Sequence, residues 1–179
     1  MTCIIGAVDK KRVLIGADSA GVSGLNVSER KDAKVFRNKE FIFGCTSSFR
    51  MIQLLRFSFK PPKITTKDIY EYMCSDFINE IRKCFTEGGY IQKEDGGQDK
   101  GGVFLVGYKN RLFFIDNDFQ VGEMSRGFDA CGCGEEYALA SFKALEGSKL
   151  TVEEKMLKSL ETAAFFSAGV CGPYVFEST

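Results

Sequence analysis

The chain contains no histidine. That absence removes Ser-His-Asp and Cys-His catalysis, histidine-bearing zinc sites and imidazole general bases together. An excess of either charge is missing too, since 24 Lys+Arg balance 24 Asp+Glu. No basic field therefore argues for nucleic acid, and no acidic tail argues for disorder. The longest apolar runs, at 41–43 and 102–107, fall far short of the ~20 residues that span a bilayer, so no membrane span is expected. The start of the chain has no basic region leading into a long apolar one, so a secretory signal is not expected and a cytoplasmic location is. Repeats, linkers and low-complexity tracts are also absent.

What is present describes an ordinary globular chain. Its 179 residues are 44% hydrophobic and 27% charged, which predicts one domain over 1–179 with a substantial core. The cysteines are Cys3, Cys45, Cys74, Cys84, Cys131, Cys133 and Cys171. Their odd number and scatter through apolar segments suit reduced, buried thiols. Only Cys131 and Cys133 are close, and one intervening residue is poor zinc spacing, so neither a metal nor another cofactor is expected.

Hydrophobic pattern and turn chemistry predict strands over 2–8 and 12–17 around an Asp9-Lys10-Lys11 turn. A small, polar stretch over 19–30 reads as a loop. A second hairpin over 33–36 and 40–45 turns at Arg37-Asn38-Lys39. Helical spacing predicts helices over 47–57, capped by Ser47 or Ser48, and over 66–85, separated by Pro61-Pro62. Residues 88–102 read as a mobile loop. Strands resume over 102–108, 111–116, 119–124 and 127–131. Helices over 134–145 and 151–166 follow, the latter opened by a Thr151…Glu154 capping box, and a last strand covers 174–177. Strands apolar on both faces, joined by hairpins and flanked by helix pairs, predict an α+β fold: a four-layer α/β/β/α sandwich of two antiparallel sheets.

Without histidine, a hydrolase needs another base. Removal of the initiator Met before a small residue is the normal outcome, and it would leave Thr2 with a hydroxyl and a free α-amine. The amine takes the hydroxyl proton and the oxygen attacks a carbonyl. An unperturbed α-amine titrates at about 7.7–8.0, so a nearby buried lysine cation helps to keep it neutral. A carboxylate then holds the lysine. Lys34 and Asp18 suit these two roles. Taken singly, each residue has a plainer reading: Thr2 as a strand residue, Asp18 as a turn cap, Lys34 as a solvated edge lysine.

Several segments together resemble the proteasome β-subunits and the bacterial HslV proteins, which are N-terminal nucleophile hydrolases. Thr2-Cys3-Ile4-Ile5-Gly6-Ala7 is similar to the family's mature N-terminus. Val13-Leu14-Ile15-Gly16-Ala17-Asp18-Ser19 is similar to its second strand, and Ala33-Lys34-Val35-Phe36 to the strand bearing the catalytic lysine. Phe41 to Ser48 resembles the strand and turn that supply an oxyanion-hole amide, here that of Ser48. Ala130-Cys131-Gly132-Cys133-Gly134 resembles the family's Gly-Ser-Gly turn, with Cys133 standing where that turn has serine. Ala168 and Cys171 stand where an Asp and a Ser contact the nucleophile in proteasome subunits.

The resemblance implies a threonine endopeptidase acting on peptides or unfolded proteins. Thr2, Asp18, Lys34, Ser48 and Cys133 would form its catalytic set, and Gly21, Asp32, Thr46 and Arg50 its substrate pocket. It also implies a homo-oligomeric ring and an ATP-dependent unfoldase partner. Two other readings stay open at this point: a non-catalytic ring subunit, favoured by Cys133, Ala168 and Cys171, and an amidohydrolase acting on small amides.

Overall fold

The structure, a computed structural model, describes residues 1–91 and 100–179. Two strands open the chain, β1 (Cys3–Asp9) and β2 (Arg12–Ala17), joined by a tight turn with Lys10 at φ 57°. β2 leads into a small separate hairpin of β3 (Ala20–Ser23) and β4 (Asn26–Glu29). Next come β5 (Val35–Asn38) and β6 (Phe41–Cys45), then α1 (Phe49–Gln53), which continues as a π-helical turn over Leu54–Ser58. The following helix has three parts: α2 (Ile69–Tyr72), a π-helical turn over Met73–Phe77, and α3 (Ile78–Glu87). The second half supplies β7 (Phe104–Tyr108), β8 (Arg111–Ile115), β9 (Val121–Glu123), β10 (Phe128–Gly132), α4 (Glu135–Ala144), α5 (Val152–Phe166) and β11 (Val175–Ser178).

The strands form a four-stranded sheet, β10-β1-β2-β11, and a five-stranded one, β5-β6-β7-β8-β9, with every pairing antiparallel. The apolar character of β1 and β2 on both faces has a direct cause. Ile4, Val13, Ile15 and Ala17 meet Val35, Ile42, Leu105 and Leu112 between the sheets. Their alternates Cys3, Ile5, Ala7 and Leu14 pack under Phe142, Met156 and Leu160 of α4 and α5. On the far side, Phe43, Phe104 and Phe113 pack against Met51, Phe77 and Phe85 of the first helices. Four layers therefore enclose three apolar seams, and each fully buried large side chain contributes roughly 1.5–3 kcal/mol. The expected sandwich is the observed one.

Two local expectations differ. The stretch read as a loop over 19–30 holds the β3–β4 hairpin, with Gly24 at φ 58° in its turn and the Ser28 hydroxyl donating to the Gly21 carbonyl at 3.0 Å. Its residues are almost all solvent-facing, so no apolar alternation marked it. The helix expected from 66 starts at Ile69, because the Asp68 carboxylate accepts the Tyr70 N–H at 2.8 Å and caps it there. The capping box of α5 forms as expected, with Thr151 and Glu154 bonded reciprocally. The expected mobile loop over 88–102 lies partly outside the described residues. No helix among the described residues is long and apolar enough to cross a membrane.

Candidate active site

Thr2 immediately precedes β1, Asp18 immediately follows β2, and Lys34 immediately precedes β5. The antiparallel pairing of β1 with β2 sets Ile4 opposite Ala17, so the start of one strand and the end of the other share an edge of the sandwich. Lys34 comes from the facing sheet. Its Nζ lies 2.9 and 3.0 Å from the two oxygens of Asp18. Both side chains are buried, at 2% and 0% exposure, which makes this a desolvated ion pair rather than a surface one. Such a pair survives burial only when its remaining valences are filled. Here they are: Asp18 also accepts the Cys3 N–H at 2.9 Å and the Ala20 N–H at 3.0 Å. The carboxylate thus grips the lysine and the backbone of the residue after Thr2 at once.

Thr2 itself is buried. Its hydroxyl donates to the Met1 carbonyl at 2.5 Å, and Lys34 Nζ donates to the same oxygen at 3.5 Å. The Thr2 N–H points at the Cys133 sulfur, 3.3 Å away, and the Cys133 thiol returns a bond to the Thr2 carbonyl at 3.4 Å. The turn that presents Cys133 depends on Gly132, whose φ of 103° and closeness to the Thr2 carbonyl leave no room for a Cβ. Glu135, in the first turn of α4, accepts the Gly132 N–H at 3.1 Å. Burial pushes the Glu135 carboxyl above its ordinary range. Burial also pushes the Cys3 thiol up to about 12, so that the neighbour of Thr2 stays protonated.

The sequence-derived sites fare unevenly. Thr2, Asp18, Lys34 and Cys133 converge. Ser48 lines the same cleft, but its N–H donates to the Thr46 carbonyl at 2.7 Å across a tight turn with Ser47 at φ 58°. Its hydroxyl caps α1 by accepting the Arg50 N–H at 3.1 Å. Of the four expected pocket residues only Thr46 lines the cleft. Arg50 turns away to the Gly88 carbonyl at 3.0 Å, satisfying the end of α3. Asp32 is held by Arg30 in a two-pronged pair at 2.8 and 2.6 Å, which lowers its pKa. Gly21 lies against the Arg30 side chain and Ser28 in the β3–β4 hairpin.

Other neighbours carried no sequence signal. The Ser167 hydroxyl donates to the Cys133 sulfur at 3.4 Å, and the Met1 side chain rests on Gly169 so closely that a Cβ there would collide with it. Both belong to the turn after α5, which also carries Ala168 and Cys171. Ala168 is exposed, and the Cys171 carbonyl accepts the Ser19 N–H at 3.2 Å. Among the described residues no group of three or more Cys, Asp or Glu is placed to hold a metal.

No family model and no curated protein matches the sequence. Solved structures do. BPH from Thiobacillus denitrificans superposes with a TM-score of 0.83 and 21% identity, covering 99% of this chain and 97% of that one. The same protein in complex with epoxomicin gives 0.83 and 20%, over 99% and 98%. HslV from Trypanosoma brucei gives 0.70 and 18%, over 99% and 98%. The likeness shows the fold: a sandwich of two antiparallel sheets between helix pairs, the N-terminal nucleophile hydrolase fold. Within that class the fold of this chain is the proteasome-like one shared with HslV and BPH.

Proposed function

We propose that the protein is a threonine endopeptidase whose nucleophile is Thr2, exposed by removal of Met1. The observation that supports it best is the convergence of the Thr2 hydroxyl and the Lys34 ammonium on one carbonyl oxygen, that of Met1. With Met1 gone, the hydroxyl and the third ammonium proton lose that partner, and Thr2 N becomes an amine. Thr2 Oγ then attacks the scissile carbonyl and its proton passes to the α-amine. Lys34, fixed by Asp18, disfavours a positive charge on that amine and stabilises the developing oxyanion. The C–N bond breaks, the departing amine takes the proton, and water hydrolyses the resulting ester through the same base.

Ser48 is proposed as the backbone oxyanion donor. It is bonded to the Thr46 carbonyl here, so the substrate oxygen must share or displace that bond. Cys133 is proposed to orient the amine, with a thiol in the role of a stronger hydroxyl. The ring, the cytoplasmic location and an ATP-dependent unfoldase that feeds unfolded protein to it are proposed from the likeness to HslV.

Intact mass before and after a peptide epoxyketone such as epoxomicin tests the reading, since that reagent needs both the hydroxyl and the amine. Loss of Met1 and one adduct on Thr2 is the expected result. A protein that loses Met1, assembles, and takes no adduct would exclude a competent nucleophile. The alternative, a non-catalytic ring subunit, is favoured by one geometry: with Met1 in place the Thr2 hydroxyl is already bonded to its carbonyl. A ring in solution that retains Met1 is the outcome specific to it.

A further inference from the structure

We propose that Arg56 is the positioning residue of Lys34, holding its backbone from the open edge of the sheet; this rests on the peptidase reading above. Lys34 lies just before β5, and β5 is an edge strand, hydrogen-bonded to β6 on one side. The sheet reaches Lys34 through the Cys45 N–H, which donates to its carbonyl at 3.0 Å. Backbone groups alternate sides along a strand, so the carbonyls of Ala33 and Val35 face the open edge, where no ladder partner waits. Arg56 Nη2 donates to both, at 2.8 and 3.3 Å. The guanidinium thus stands in for a neighbouring strand on either side of the residue that carries the ammonium.

Arg56 is itself fixed. It belongs to the π-helical turn over Leu54–Ser58, and turns of that kind recur at functional sites. Its guanidinium carbon lies 4.6 Å over the Phe36 ring, which stacks on Phe43 at 5.2 Å in the aromatic seam. Its Nε is buried with no hydrogen bond among the described residues. A buried donor left unpaired weakens a fold, so stability alone does not account for an arginine here. What the residue secures is the segment 33–35, and with it the stem of the lysine whose Nζ meets Asp18 at 2.9 and 3.0 Å. Its contacts are with Ala33, Val35, Phe36 and Phe57, so it acts on catalysis through Lys34.

Two variants test this. Arg56→Met keeps an apolar stem and removes both bonds; Arg56→Lys keeps the charge and removes the planar fork. In protein freed of Met1, each should lower kcat by about ten- to a hundredfold, the scale of a small misplacement beside the reacting atoms. KM should stay within about twofold, since Lys34 acts on the transition state. The acidic limb of the kcat/KM profile reports the Thr2 amine, and it should move up toward about 7.7–8.0 as the Lys34 charge drifts away. Asp18, Cys3, Cys133 and Glu135, the other titratable groups around Thr2, are left as they are. Hydrogen exchange gives a reading independent of turnover: the Cys45 N–H should exchange at least about tenfold faster, while the amides of β7 and β8 keep their rates. Unchanged kcat, a loss confined to KM or to Arg56→Met, unchanged exchange at Cys45, or equal acceleration in every strand would overturn the inference. If Arg56→Met does not fold, Arg56→Lys decides by the same readings. If the wild type freed of Met1 cleaves nothing, the peptidase reading fails, and exchange at Cys45 decides whether Arg56 holds Lys34.

Discussion

The two walls that meet at Thr2 are built on opposite principles. On one side Lys34 and Asp18 form a buried ion pair with every carboxylate valence engaged, tied into the backbone at Cys3 and Ala20. On the other, the β10–α4 turn offers the exposed thiol of Cys133 and the α5–β11 turn offers Ser167, with contacts of 3.3–3.4 Å to sulfur. The first wall fixes charge in a desolvated place, where an electrostatic effect is strong and reorganisation is small. The second meets the Thr2 nitrogen with a weak, accessible group. The contrast teaches that the ion pair beside Thr2 is also part of the core, whereas the thiol beside its nitrogen sits on a surface turn.

The largest test of that contrast is Lys34→Met beside Thr2→Ala. Both should reduce peptide cleavage by at least about 10³-fold, the scale of losing a transition-state donor or the nucleophile. They should differ in thermal unfolding. Stranding Asp18 without its cation costs about 3–5 kcal/mol. Thr2→Ala should leave stability within about 1 kcal/mol, because among the described residues the Thr2 hydroxyl bonds the carbonyl of its own chain neighbour, Met1. Equal melting temperatures for the two would show that the ion pair is not structural.

Next in size is thiol chemistry. Iodoacetamide at pH 8 should alkylate Cys133, which is exposed, and should spare Cys3, Cys45 and Cys131, which are fully buried. A carboxamidomethyl group on Cys133 should abolish epoxyketone labelling of Thr2, because the sulfur lies against the Thr2 nitrogen. Labelling that survives complete Cys133 alkylation, read by peptide mapping, would remove Cys133 from the site. Cys133→Ser should be mild: the hydroxyl is a better partner, so kcat/KM should rise by up to about tenfold with stability changed by less than ~0.5 kcal/mol. A fall in kcat/KM would reverse that assignment.

The smallest effect concerns pH. Glu135 holds the Gly132 turn, and burial raises its carboxyl pKa above the ordinary 4.5. A raised carboxylate pKa means that the folded state binds the proton more tightly than the unfolded one. This contribution to stability is therefore greatest below the unfolded value and is lost as pH rises through the folded one. Glu135→Gln should flatten that part of the stability–pH curve, measured by urea unfolding between pH 4 and 7. An unchanged curve would show that Glu135 is solvated.

Much of the fold was legible because its cause is local. The short, nearly continuous apolar runs of β1 and β2, the tight turns at Lys10 and Lys109, the Ser48 cap and the Thr151–Glu154 box each depend on neighbours a few residues away. The π-helical turns at 54–58 and 73–77 and the β3–β4 hairpin were not legible. The first two place Leu54, Leu55, Met73 and Phe77 in the core with no residue type that marks a π turn, and the third is almost entirely solvent-facing, so no pattern is imposed on it.

The sequence by itself determined that no imidazole chemistry is available and that two apolar strands open the chain. Residue type and short-range periodicity suffice for those conclusions. Only the tertiary structure decided what surrounds Thr2, Asp18 and Lys34. It spent Arg50 on the Gly88 carbonyl at the end of α3 and brought Ser167 to Cys133 from 34 residues away. The reason is physical. A polar side chain bonds whichever unsatisfied partner the packed layers bring within 3 Å or so, and that partner is set by sheet register and helix docking rather than by chain neighbours.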